Sequence, residues 1–258
     1  LKEKRNRKLY KKGDCKSNSK LNGKWQGKWV TLVTNVVLGV CLLSITSVAF
    51  AGQSVSAVTV DDSKVYYGNE DAQSGVCLMF NVYEHTDYVQ EILEILSQYE
   101  AKATFFLGGS WADDNIDCVR QIYNAGQEVA SHGYFHKDHS AMNYAQNLEE
   151  ISVSAKLINL ICNTQIKLFA PPSGAYNEQT LQACETLQLN VIMWSRDTID
   201  WRDQNTALIV SRATKNLKAG EFVLMHPTKC TVQALPQILQ YINENQLETQ
   251  SVSENIGV

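Results

Sequence analysis

A parallel α/β fold closed into a barrel is the architecture that this sequence of 258 residues predicts, and three observations predict it. Short apolar runs alternate with segments of helical period, at a spacing of about 25 to 40 residues. The runs are apolar throughout, as strands covered on both faces require. No GxGxxG follows the first run and no GxxxxGK occurs anywhere, which disfavours the open, doubly wound sheets that bind nucleotides. Regular β-α alternation leaves those two arrangements, and the barrel is preferred. Such barrels use about 200 to 250 residues as one domain.

The elements follow in order. Strands are expected at 76–80, 103–107, 128–131, 166–170, 190–194 and 221–225. Each is short and bounded by polar or glycine-containing segments. Between them, apolar positions three and four apart predict helices at 88–99, 116–125, 145–162, 178–187, 206–217 and 232–245. Thr86, Asn177 and Asn205 precede three of these as N-cap candidates, because their side-chain oxygens can accept from otherwise free backbone N–H groups.

With 44% hydrophobic and 19% charged residues, the chain is neither disordered nor collagenous. Its charge is uneven. Residues 1–28 carry eleven Lys and Arg against Glu3 and Asp14, net +9, and the remainder is net −13. That acidic remainder makes nucleic acid an unexpected partner. Residues 29–60 hold no charge, and 36–48 is the most apolar stretch. A basic lead, an apolar core and Ala49-Phe50-Ala51 match a secretory signal with a small-residue cleavage site. The 22 residues 29–50 equally suit an uncleaved membrane anchor with a cytoplasmic basic flank. A buried helix is the third reading. Both leading readings export the working domain to the extracytoplasmic face of the membrane, the wall or the medium. The expected division is a basic region (1–28), a signal or anchor (29–51), a linker (52–73) and a domain (74–254).

Five cysteines follow residue 51, Cys77, Cys118, Cys162, Cys184 and Cys230, with no CxxC among them. An odd number without metal-type spacing reads as buried apolar residues, with room for one disulfide.

Reactive groups of a β/α barrel come from strand C-terminal ends and the loops just after them. Histidines, acidic residues and aromatics collect there in this chain. His132 and His136 are four apart and can chelate one metal if both imidazoles point the same way. HxxxH by itself equally describes loop histidines at a surface.

The segments SHGYFH at 131–136, FAPPSG at 169–174, DTIDW at 197–201 and LMHP at 224–227 stand in this order. Together with ATFFLGGSW at 103–111, this set resembles the polysaccharide deacetylases with a NodB-homology domain, carbohydrate esterase family four. The resemblance runs from residue 74 to about 252. It implies a distorted (β/α)7 barrel of the glycoside hydrolase/deacetylase type, preceded here by the signal or anchor helix. It also implies a divalent metal such as zinc, and removal of N-acetyl groups from chitin or peptidoglycan. In that chemistry a metal-bound water attacks the acetamide and a histidine protonates the departing amine. By resemblance His132 and His136 are metal ligands and His226 is the general acid.

The first motif departs from the family. Where active members read TFDDG, with a base and a metal ligand as the two Asp, this chain reads Met79-Phe80-Asn81-Val82-Tyr83. Asn81 cannot take a proton from water at neutral pH, and Val82 cannot coordinate a metal. Ala170 replaces the Arg that orients the base. The departure resembles a sporulation-associated subgroup with an acidic run after the first motif. In this chain Asp87, or else Glu84, is then the candidate third ligand, or it complements the positive helix N-terminus. Asp197 and Asp200 are candidates to tune His226 or receive its proton, against a structural turn. Asn81, Tyr134, Pro172 and Trp201 are the candidate substrate contacts.

The expected function is metal-dependent deacetylation of an N-acetylated wall or chitin-like polysaccharide, peptidoglycan first, in the setting of sporulation. The alternative is an inactive barrel of the same family that binds wall glycan or a partner.

Overall fold

The computed structural model describes residues 32–40 and 65–258. The basic region, the Ala-Phe-Ala site and most of the linker lie outside the described residues. Residues 32–40 form a helix, α1. Among the described residues no helix is long and apolar enough to cross a membrane. The chain divides into two units, Leu1–Val58 and Thr59–Val258, and everything below concerns the second.

Its strands are β1 (Val65–Tyr66), β2 (Gly75–Val82), β3 (Thr104–Leu107), β4 (Glu128–Ser131), β5 (Leu168–Phe169), β6 (Asn190–Ile192), β7 (Arg196–Asp197), β8 (Phe222–Met225) and β9 (Glu248–Gln250). Helices α2 (Asp87–Gln98), α3 (Gly109–Asp114), α4 (Ile116–Asn124), α5 (Tyr144–Cys162), α6 (Glu178–Thr186), α7 (Thr206–Thr214), α8 (Lys229–Glu244) and α9 (Val252–Ile256) lie between or after them. All strand pairs are parallel, in the order β1-β6-β5-β4-β3-β2-β8-β7, with β9 also on β2. The two ends of this order meet through 193–195. Met193 N–H donates to Tyr66 O at 2.8 Å, and Ser195 N–H donates to Phe222 O at 3.2 Å. The sheet therefore curls into a distorted barrel whose seam is a chain segment rather than a full ladder.

All six predicted strands are present, although those predicted at 166–170 and 190–194 shorten to two and three residues. Within the expected linker, Val65–Tyr66 pair with β6. Helix α3 was not predicted, being a single six-residue segment too short for a periodic signal. Asn177 and Asn205 cap α6 and α7 through their side chains, whereas Thr86 stands in the αR region and makes no capping bond.

Period-two alternation explains the two cores. On β2, Val76, Leu78, Phe80 and Val82 face the layer between sheet and helices, while Cys77 and Met79 face the barrel interior with Phe106, Leu168, Ile192 and Phe222. Both layers are apolar, which is why the strands show no polar face in sequence. Each such side chain, fully buried, contributes about 1.5–3 kcal/mol. Cys77, Cys118, Cys162, Cys184 and Cys230 are free; burial pushes the Cys77 and Cys184 thiols up.

Candidate active site

The same alternation selects what reaches the top of the barrel. Two residues beyond Met79, Ala130 and Leu224 stand Asn81, His132 and His226, carried toward the C-terminal rim, while Ala170, two beyond Leu168, still packs in the interior core. A cavity of about 390 Å³ opens there, lined among others by Asn81, Tyr83, His132, His136, Trp201 and His226. A groove of about 500 Å³ adjoins it, sharing Asn81, Tyr83, Trp201 and His226 and reaching Tyr88 and Lys229.

Strain collects on this rim. Of the nine non-glycine residues with positive φ among the described residues, five follow helix ends, and His85, His136, Ser173 and Ile199 stand on the rim. Ile199, at φ 54°, is the costliest kind because its Cβ is branched. Asp197 holds this turn by accepting from Ile199 N–H at 2.8 Å.

The turn delivers Asp200 to His226. His226 Nδ1–H donates to Asp200 Oδ1 at 2.8 Å, and its backbone N–H donates to Oδ2 at 2.6 Å. The Thr231 hydroxyl donates to Oδ2 at 2.6 Å and Trp201 N–H donates to Oδ1 at 2.9 Å. Asp200 is fully buried and accepts four hydrogen bonds, so the carboxylate is compensated rather than isolated. The pairing orients the imidazole and leaves Nε2 as the nitrogen not engaged by Asp200.

Across the cavity, Gly133 turns the chain at φ +75° between the other two imidazoles. His132 is 1% exposed, with Nδ1–H donating to Ala170 O at 2.7 Å. Burial first, then the neighbouring His136, pushes its imidazole down to about 3. Burial likewise lowers the half-buried His136. Their ring centroids are 5.1 Å apart, and the Tyr83 ring lies 4.1 Å from His136 and 6.3 Å from His132.

A divalent metal does not fit the residues present. Two neutral imidazoles are available, but Val82 is fully buried in the sheet–helix layer and brings no donor. No group of three His, Cys, Asp or Glu that could hold a metal ion occurs among the described residues. Asp87, the expected third ligand, is exposed in the first turn of α2, beside the positive helix N-terminus, and lines neither cavity. Glu84 lines the adjoining groove, where it lies 3.6 Å from His85.

Of the other expected residues, Asn81 and Trp201 line both spaces. Tyr134 does not: it packs beside Phe135 with its hydroxyl 3.4 Å from Asp113. Pro172 is buried, and Ser173 takes its expected place in the cavity lining. Asp197 lines the cavity but makes no hydrogen bond to His226 among the described residues. Thr231 was missed. Its signal was Thr228-x-x-Thr231, a capping pattern at the start of α8, in which Thr228 Oγ1 accepts from Thr231 N–H at 3.1 Å.

The sequence profile of the family described as polysaccharide deacetylase matches residues 68–192. The uncharacterized protein YlxY of Bacillus subtilis is 29% identical over 201 residues, covering 78% of this chain and 63% of its own. A peptidoglycan-N-acetylglucosamine deacetylase of Bacillus cereus is 28% identical over 169 residues, covering 64% of this chain and 62% of its own. The chain thus spans less than two thirds of the length of either. A crystal structure of a CE4 family pseudoenzyme from Bacillus anthracis superposes with a TM-score of 0.72 at 30% identity, covering 74% of this chain and 68% of that one. With the barrel, the ordered rim motifs and these matches together, the chain belongs to the polysaccharide deacetylases of carbohydrate esterase family 4.

Proposed function

We propose that this domain engages N-acetylated cell-wall polysaccharide, peptidoglycan first, at the rim cavity, and that it retains only the acid half of deacetylase chemistry. One observation carries the reading. The Asp200–His226 pair is fully assembled, while the end of β2 supplies Asn81 and Val82 where a base and a metal ligand are needed. Without a carboxylate at position 81 or 82, the end of β2 supplies neither a base nor a further metal ligand for activating water. The cavity still offers what sugar binding needs: aromatic faces at Tyr83 and Trp201 and polar edges at Asn81 and His226. Among the similar proteins, several are peptidoglycan deacetylases, which supports the glycan part of the reading, and one is a pseudoenzyme, which supports the loss of water activation.

A working hydrolase is the second reading, favoured by the intact Asp200–His226 pair and by the two imidazoles of His132 and His136. The test measures binding to N-acetylated peptidoglycan and acetate release from it and from chitooligosaccharides, with zinc added, beside a His132→Ala control. Binding with acetate at the level of the control is expected. Zinc-dependent release that disappears in the control overturns the first reading in favour of the second. We assign the site of action to the extracytoplasmic face or the wall, from the basic lead and apolar segment, and the setting to spore formation, from the subgroup resemblance. Fractionation of sporulating cells tests both.

A further inference from the structure

We propose that Arg212, on α7 and outside the cavity, is a positioning residue for the Asp200–His226 pair: its guanidinium forks across the two ends of the strained turn at 198–203 and so holds Asp200 on the imidazole. This deepens the reading of the rim as a glycan-binding site and rests on it.

Within three residues of the end of β7 the chain must place Asp200 against His226, and Trp201 follows at once in the cavity lining. It does so through Ile199 at φ 54°, a backbone that a branched residue keeps only where its surroundings over-determine it. The inner atoms of the turn are held locally. Ile199 O accepts from Arg202 N–H at 3.2 Å and from Asp203 N–H at 2.9 Å, and Thr198 donates its N–H and its hydroxyl to Leu224 O at 3.2 and 2.8 Å. The carbonyl of Thr198 is left to Arg212, whose Nη1–H donates to it at 2.9 Å. Nη2–H of the same guanidinium donates to Asp203 Oδ2 at 2.7 Å. One planar group thus fixes the distance between positions 198 and 203, with Asp200 between them.

The fork is anchored from behind. Arg196, on β7, donates from Nη1 to Arg212 O at 3.3 Å and to Lys215 O at 2.9 Å, and from Nη2 to Asn216 O at 2.9 Å, while its Nε–H donates to Glu221 Oε2 at 2.8 Å. The C-terminal end of α7 is therefore tied to the strand from which the turn departs. Hydrogen bonds from Arg202 and then Arg212 hold the Asp203 carboxyl below its ordinary value, which keeps it an acceptor through neutral pH. Arg212 lines neither the cavity nor the adjoining groove, so it acts on the pair through the turn alone. Removing the fork frees one end of a strained segment. Asp200 moves with that backbone, and its bonds to His226 Nδ1–H and Trp201 N–H loosen together. A lysine would keep the charge but reach one acceptor at a time, since it lacks the rigid pair of donors.

The experiment follows the His226 Nδ1–H proton by NMR in the purified full chain, assigned by its loss in His226→Gln, and measures its solvent exchange and the affinity for chitotetraose. The proteins compared are the wild type, Arg212→Ala, Arg212→Lys and Ile158→Val, the last a truncation in the buried core of α5 that lowers stability without touching the turn. The wild type is expected to show a low-field resonance protected from exchange. Arg212→Ala should speed that exchange and weaken chitotetraose binding, each about tenfold. Arg212→Lys should fall between the two, and Ile158→Val should match the wild type. A wild type with no protected resonance, or an Arg212→Ala protein exchanging at the wild-type rate, overturns the inference. Equal acceleration in Ile158→Val also overturns it, because loss of stability alone would then explain the effect. If the exchange rates behave as expected and the wild type binds no chitotetraose, the glycan reading fails while the positioning role stands. If Arg212→Ala does not fold, Arg212→Lys decides, and exchange at the wild-type rate in that variant overturns the inference.

Discussion

The two sides of the rim are built on opposite principles. At β7 and β8 a fully buried carboxylate accepts four hydrogen bonds and holds an imidazole, on a turn strained at Ile199. At the end of β2 an amide oxygen is left without a partner, valine fills the next position, and Tyr83 lies against His136. Both sides descend from strands of the same barrel, so the scaffold does not explain the difference. Side-chain chemistry at two adjacent positions does: an amide at 81 and a valine at 82 stand opposite a fully bonded carboxylate.

The largest effect is expected on the ordered side. Asp200→Ala leaves two backbone N–H groups, a hydroxyl and an imidazole without their acceptor, and should lower stability by about 3–5 kcal/mol. Urea denaturation measures it, and a loss below about 1 kcal/mol would mean that the network is ornamental. The opposite side is probed by Val82→Asp. A carboxylate buried there without a partner should cost about 2–3 kcal/mol without metal. Because position 82 faces the sheet–helix layer and not the His132–His136 pair, zinc should shift the melting temperature of neither the variant nor the wild type. A rise in the melting temperature of the wild type on adding zinc would refute the contrast between the sides. The smallest effect lies at the helix starts. Thr228 caps α8 through its side chain, while Thr86 makes no such bond before α2. Thr228→Ala should cost about 1 kcal/mol and Thr86→Ala within about 0.5 kcal/mol, both by thermal denaturation.

Much of this was legible in the residues. Continuous apolar runs and helical periods give the strands and most helices, because burial on both faces leaves a pattern that one residue after another must obey. His132, His136 and His226 stand where ordered motifs put them, and the loss of carboxylates at Asn81 and Val82 is readable without any coordinates. What pairs with what was less accessible. Asp87 is a short way along the chain from Tyr83, yet the first turn of α2 carries it to an exposed position outside both cavities. Tyr134 sits between the two imidazoles in sequence, and the turn at Gly133 and His136 directs it toward Asp113. Thr86 has the chemistry of a cap and lacks the backbone geometry for one.

The sequence by itself determined the residue types available and the parity that carries Asn81, His132 and His226 to one end of a barrel, since both follow from local covalent geometry. Only the tertiary structure decided that Asp200 rather than Asp197 holds His226, that Tyr83 meets His136, and that Asn81 Oδ1 is left without a partner. Those outcomes depend on distances between residues as much as 53 positions apart, as Tyr83 and His136 are, set by how the sheet curls and where its seam falls.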